Sequence, residues 1–159
     1  MPGYGTNIDG PLLIGTRPQS SATTPGVNDY GGAVCAQQID LNVATGTGAV
    51  TASCYVPIGC AIIDIISDTL VVWNSGTSDT LSVGTAAGGT QYASGVDTKT
   101  AAGRTRPTFT AAQLTAGGTV AAPGQIFATI TQVGAAATTG MTTVTILYLP
   151  VVQPFIGNT

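Results

Sequence analysis

The stretch CAIIDII, residues 60–66, decides the fold class. Alternation puts Ala61, Ile63 and Ile65 on one face, and Cys60, Ile62, Asp64 and Ile66 on the other. Both faces are largely apolar, and a strand covered on both faces belongs in the middle of a sandwich. Immediately downstream, VVWNSGTSDTLSVGT (71–85) sets two short apolar pieces, Leu70–Trp73 and Thr80–Val83, around Asn74–Asp79. Asn, Ser, Gly and Asp are turn formers, so this reads as a hairpin or a connection between sheets. Trp73 and Leu81 then face the core, with Asn74–Asp79 at a subunit or solvent edge.

Working outward, Ile39, Leu41 and Val43 alternate with polar residues, Thr45–Gly48 is a turn, and Val50–Val56 is a second strand. Between Gly84 and Arg106 the chain is irregular. Thr110 and Gln113 have capping-box spacing, which predicts one or two helical turns stopped by Gly117-Gly118. Gln125–Val133 and Thr142–Leu149 are the clearest strands. The expected core is Ile63, Ile65, Trp73, Leu81, Ile126, Ile130, Val144 and Ile146. Seven or eight strands with regular turns give an all-β, jelly-roll-like β-sandwich, with an immunoglobulin-like fold as second choice.

Composition agrees. The chain of 159 residues has 27 Thr, 22 Gly and 21 Ala, no Glu and no His, and only 7% charged residues against 43% apolar ones. Thr and Val suit a half-buried pleated surface, while good helix formers are scarce. A solitary soluble domain usually carries more charge to stay apart from its neighbours. Much of this surface is therefore expected to be covered by neighbouring subunits.

The organisation is read as three pieces: an extended N-terminal arm (1–38), a β-sandwich domain (39–150) and a C-terminal tail (151–159). Pro2, Pro11, Pro18 and Pro25 punctuate a first segment rich in Gly, Ser, Thr and Asn, without periodicity beyond Pro11–Ile14. Its Tyr4, Ile8, Leu12, Leu13, Ile14 and Tyr30 are apolar enough to dock on another subunit.

Several functions are excluded by what is scarce. With a net charge of −3 and only Arg17, Lys99, Arg104 and Arg106 positive, there is no phosphate-binding patch, and nucleic acid is not an expected partner. No apolar run reaches the roughly 18 residues of a membrane span, and MPGYGTNIDG reads as carrying no secretory signal. Without His, the usual general base and Ser–His or Cys–His nucleophiles are missing. Asp64 and Asp68 are the nearest approach to a catalytic carboxylate pair, and solvation or capping is the plainer reading of both; no enzyme activity, cofactor or metal is expected. Asn74, Asp79 and Asp97 sit in loops, but without EF-hand spacing for calcium. Cys35, Cys54 and Cys60 offer no zinc site, and Cys54 and Cys60 read as reduced apolar thiols rather than a disulfide. Tyr92, in a glycine-rich loop, is a candidate contact for a sugar or a subunit, and Trp73 a weaker one for a sugar.

The order of pieces Val56–Ile66, Asn74–Thr85, Tyr92–Asp97 and Ala102–Arg104, closed by TTVTILYLP, resembles the jelly-roll head decoration, or cement, proteins of tailed bacteriophages. The resemblance covers about residues 50–149. It implies a homotrimer on the outer surface of the virion capsid, bridging major capsid proteins and resisting the pressure of packaged DNA. It implies terminal arms that reach over neighbours, and no catalytic residues. The alternative is a carbohydrate- or receptor-binding jelly-roll module of a virion or a secreted protein.

Overall fold

Val144, Ile146 and Tyr148 alternate with Thr143, Thr145 and Leu147, and the computed structural model places the first three in the core. The structure describes residues 33–43 and 48–150. In chain order the elements are β1 (Cys35–Asn42), β2 (Ala49–Tyr55), β3 (Ala61–Val71), β4 (Ser78–Gly84), β5 (Ala93–Asp97), β6 (Gly103–Thr105), α1 (Ala111–Gly117), β7 (Gln125–Val133) and β8 (Met141–Leu149).

The strands form two four-stranded antiparallel sheets, β1-β8-β3-β6 and β2-β7-β4-β5. Successive strands alternate between the sheets at most steps, and the last strand returns to lie between the first and third. That is the eight-strand, double Greek-key order of a jelly roll. β1 begins at Cys35, ahead of the first alternation legible in the sequence at Ile39.

Between the sheets pack Ile39 and Leu41 of β1, Ile65 of β3, Leu81 and Val83 of β4, Ile126, Ala128 and Ile130 of β7, and Val144 and Ile146 of β8. Each fully buried Leu or Ile is worth about 1.5–3 kcal/mol. An exposed ion pair contributes about 0–1 kcal/mol, so the core decides the fold. Trp73 lies just past the end of β3 and is fully buried; its Nε1 donates to Thr142 Oγ1 at 2.9 Å.

Ile63 departs from the expected core, being 44% exposed. The pairing of β3 with β8 skips it: Ile62 faces Tyr148 and Asp64 faces Leu147. One extra residue in a strand is a β-bulge, and it exchanges the faces on either side. Ile62 and Ile65 therefore point inward, and Ile63 is displaced outward. A second register shift, between Thr69 and Val71, lets β3 run on as one long strand where the sequence suggested two.

The helix is two turns long and starts as its spacing requires. Thr110 Oγ1 accepts from Gln113 N at 3.2 Å, and Gln113 Oε1 accepts from Thr110 N at 2.9 Å. Gln113 Nε2 also donates to Thr90 O and Ser94 Oγ, tying α1 to the start of β5.

Candidate functional site

Charges are few, and they are spent on holding the chain together. Asp68 of β3 and Arg104 of β6 are register partners and form a two-pronged ion pair, Nε–Oδ1 2.8 Å and Nη2–Oδ2 3.0 Å. Arg106, just past β6, donates through Nη2 to Asp64 Oδ2 nearer the start of β3. Hydrogen bonding to Arg104 lowers the Asp68 pKa below its ordinary value, and Asp68 in turn raises that of Arg104. Lys99 donates to Ser75 O. Each of the three described cations is thus engaged within the chain.

The loop oxygens considered for calcium serve the backbone instead. Asn74 Oδ1 accepts from Thr138 N and Thr139 N, at 2.7 and 3.0 Å. Asp79 is buried within the chain and accepts from Ser75 N at 3.0 Å, so it does not stand at the subunit or solvent edge expected for Asn74–Asp79. Asp97 accepts from Lys99 N and Thr100 N, and its pKa is lowered, chiefly by the Thr100 hydroxyl and then the Lys99 amide. Among the described residues no group of three His, Cys, Asp or Glu is placed to hold a metal ion.

Tyr92 is not a surface contact. It is 4% exposed, and burial raises the pKa of its hydroxyl. Its N–H donates to Val83 O at 2.9 Å, continuing the β4–β5 ladder and turning the ring inward beside Ile62, Ile65 and Phe109 under α1. Trp73 is buried as well, so neither ring read as a possible sugar platform is accessible. Tyr4, Ile8, Leu12, Leu13, Ile14 and Tyr30 lie outside the described residues. Cys54 is a half-buried reduced thiol whose pKa is raised by desolvation.

An open groove of ≈ 540 Å³ lies beside β5 and β6, lined by Ser94, Asp97, Thr100, Thr105, Arg106 and Pro107 among others. A ligand site needs a few polar groups converging on its occupant. Here Asp97 and Arg106 are already committed to the backbone and to Asp64.

What the surface does offer is apolar and hydroxyl-bearing area. Leu70, Val71 and Val133 are exposed at one end of the sandwich, and at the other Tyr55 (64% exposed), Ile58 (63%) and Leu114 (61%) stand out with Ile63 and Val34. The latter five share the end where β1 and β3 start and β2 and β8 finish, Leu114 of α1 lying beside Ile62 and Ile63. The described chain also enters and leaves there, at residues 33 and 150. The outer faces carry satisfied polar pairs: Thr51 with Thr129, Gln125 with Ser53, Gln38 with Thr145, and Thr143 with Asp40. Nothing in the residue pattern marked Tyr55 or Leu114; the turn Pro57-Ile-Gly59 was the one hint that Ile58 lies outside. No described helix is long and apolar enough to cross a membrane.

No family model matches the sequence, and no curated protein matches it. Among solved structures, a chain described as "Cyanophage Pam1 capsid asymmetric unit" has the same fold, with a TM-score of 0.51 and 23% sequence identity. The likeness covers 82% of this chain and 94% of that one.

Proposed function

We propose that this chain is a structural virion protein of a tailed bacteriophage, a decoration or cement protein that binds the outside of the head and bridges major capsid proteins. The observation that carries this reading is the fold shared, over most of both chains, with a component of a cyanophage capsid unit. The resemblance of residues 50–149 to decoration proteins adds to it.

The surface fits such a role. Hydroxyls satisfied in pairs and few charges give faces that are cheap to desolvate, since a charge buried without a partner costs several kcal/mol. Five exposed apolar side chains at one end supply area to bury against a neighbour. Repetition over a symmetric shell multiplies modest contacts into firm retention. The reading includes self-association as a homotrimer, with no nucleic acid, membrane or catalytic role. In support of the last, both aspartates nearest to a catalytic pair are occupied by arginines.

The test is binding to heads of the parent phage that lack the chain. Saturable co-sedimentation at a fixed copy number, with the bound chain open to protease from outside, is expected. Heads that sediment without it at saturating concentration would overturn the proposal.

A further inference from the structure

We propose that β2 is a docking edge for a second copy of this chain, pairing antiparallel with the partner's β2 about a twofold axis through Ala52. β2 pairs with β7 on one side, and no described strand runs along its other side. None of its seven residues is buried; the pattern alternates exposed and half-buried throughout.

An open edge invites pairing with another chain, and single subunits guard against it with short strands, bulges, prolines or charges. The opposite flank of the sandwich is guarded in this way. β5 has five residues, a register shift against β4, and Gly95 at φ 68. β6 has three residues and carries Arg104. β2 has no such protection. AVTASCY holds no charge, proline or glycine, and its register with β7 is unbroken from Ala49 to Tyr55.

The side chains favour a copy of the same strand as occupant. About a twofold at Ala52, Thr51 meets Ser53 of the other copy, Val50 meets Cys54, and Ala49 meets Tyr55. Thr51 and Ser53 lie on the outer face, while Val50 and Cys54 pack toward the core. Hydroxyl therefore meets hydroxyl and apolar meets apolar, with no like charges opposed. The exposed Tyr55 ring covers Ala49 of the other copy at both ends of the contact. Such an isologous pair closes on itself rather than growing into a fibre, and it joins two four-stranded sheets into one. The contact needs only this chain, so it stands or falls separately from the capsid reading; on a shell it would link one trimer to the next.

The register gives the test. Thr51→Cys and Ser53→Cys proteins are prepared singly, mixed, and oxidised mildly, with the wild-type chain as baseline for its own thiols. Opposed residues in such a pair bring their Cβ atoms to about 4.5–5.5 Å, so the mixture should give covalent dimers at least about fivefold above either protein alone. Ser53→Lys, at an exposed site, should halve the light-scattering mass of the wild-type species. A mixture yielding no more dimer than its components, or a Ser53→Lys chain of unchanged mass, would overturn the proposal.

Discussion

Gly140 lies against the face of the Trp73 indole, so close that a methyl group there would overlap the ring. The indole cannot retreat, because Nε1 is bonded to Thr142 Oγ1 and the Trp73 amide donates to Thr98 O. Overpacking of this kind costs about 1–3 kcal/mol. Gly140→Ala should therefore lower the urea midpoint with an unchanged denaturant slope; an unaltered midpoint would mean that the β7–β8 turn gives way freely. Trp73 was legible as a core residue because it closes an apolar run. Tyr92 was misread for a physical reason: glycines on either side suggest a loop, but the Tyr92 amide extends a ladder to Val83. Only pairing with a distant strand reveals that.

At the scale of elements, the short helix depends on its cap. Thr110→Ala removes the acceptor for Gln113 N and should cost about 1 kcal/mol, read as a fall in thermal midpoint. The pairing of β6 with β3 depends on charge instead. The Asp68 pKa is lowered in the fold, so its contribution is complete above the unfolded value of roughly 3.9 and is lost as pH falls through the lower folded value. Amide protection over Gly103–Thr105 should drop in that acid range, while β8 stays protected. Asp68→Asn should show the weakened protection already at neutral pH; equal protection in both proteins would mean that the Asp68–Arg104 pair does not hold β6. Periodicity predicted β7 and β8 because each has one face to the core and an even ladder. It failed at β3, where the bulge exchanges faces at Ile63, since alternation carries no mark of where a ladder skips a residue. The capping box was legible because both its bonds are local.

At the scale of the whole molecule, the low charge is what the proposed coverage by neighbouring subunits rests on, and the jelly-roll order speaks to the fold alone. The all-β class was legible because Thr, Val and Ile dominate and helix formers are scarce. The exposed apolar end was not legible, because exposure of Tyr55, Ile58 and Leu114 follows from strand order rather than residue type. The N-terminal segment is tested by truncation, which must stop at residue 32 because β1 pairs with β8 from Cys35 onward. The shortened chain should fold with an unchanged thermal midpoint and be retained more weakly on heads. Equal retention would remove the arm from the account.

The central claim, reinforcement of a capsid from outside, is tested most directly by the temperature at which heads lose their DNA. Heads of the parent phage are heated with and without saturating chain, and nuclease-accessible DNA is measured. Bound chain should raise the release temperature and do so in proportion to occupancy. A release temperature identical in decorated and bare heads would contradict the claim, whatever the affinity of binding.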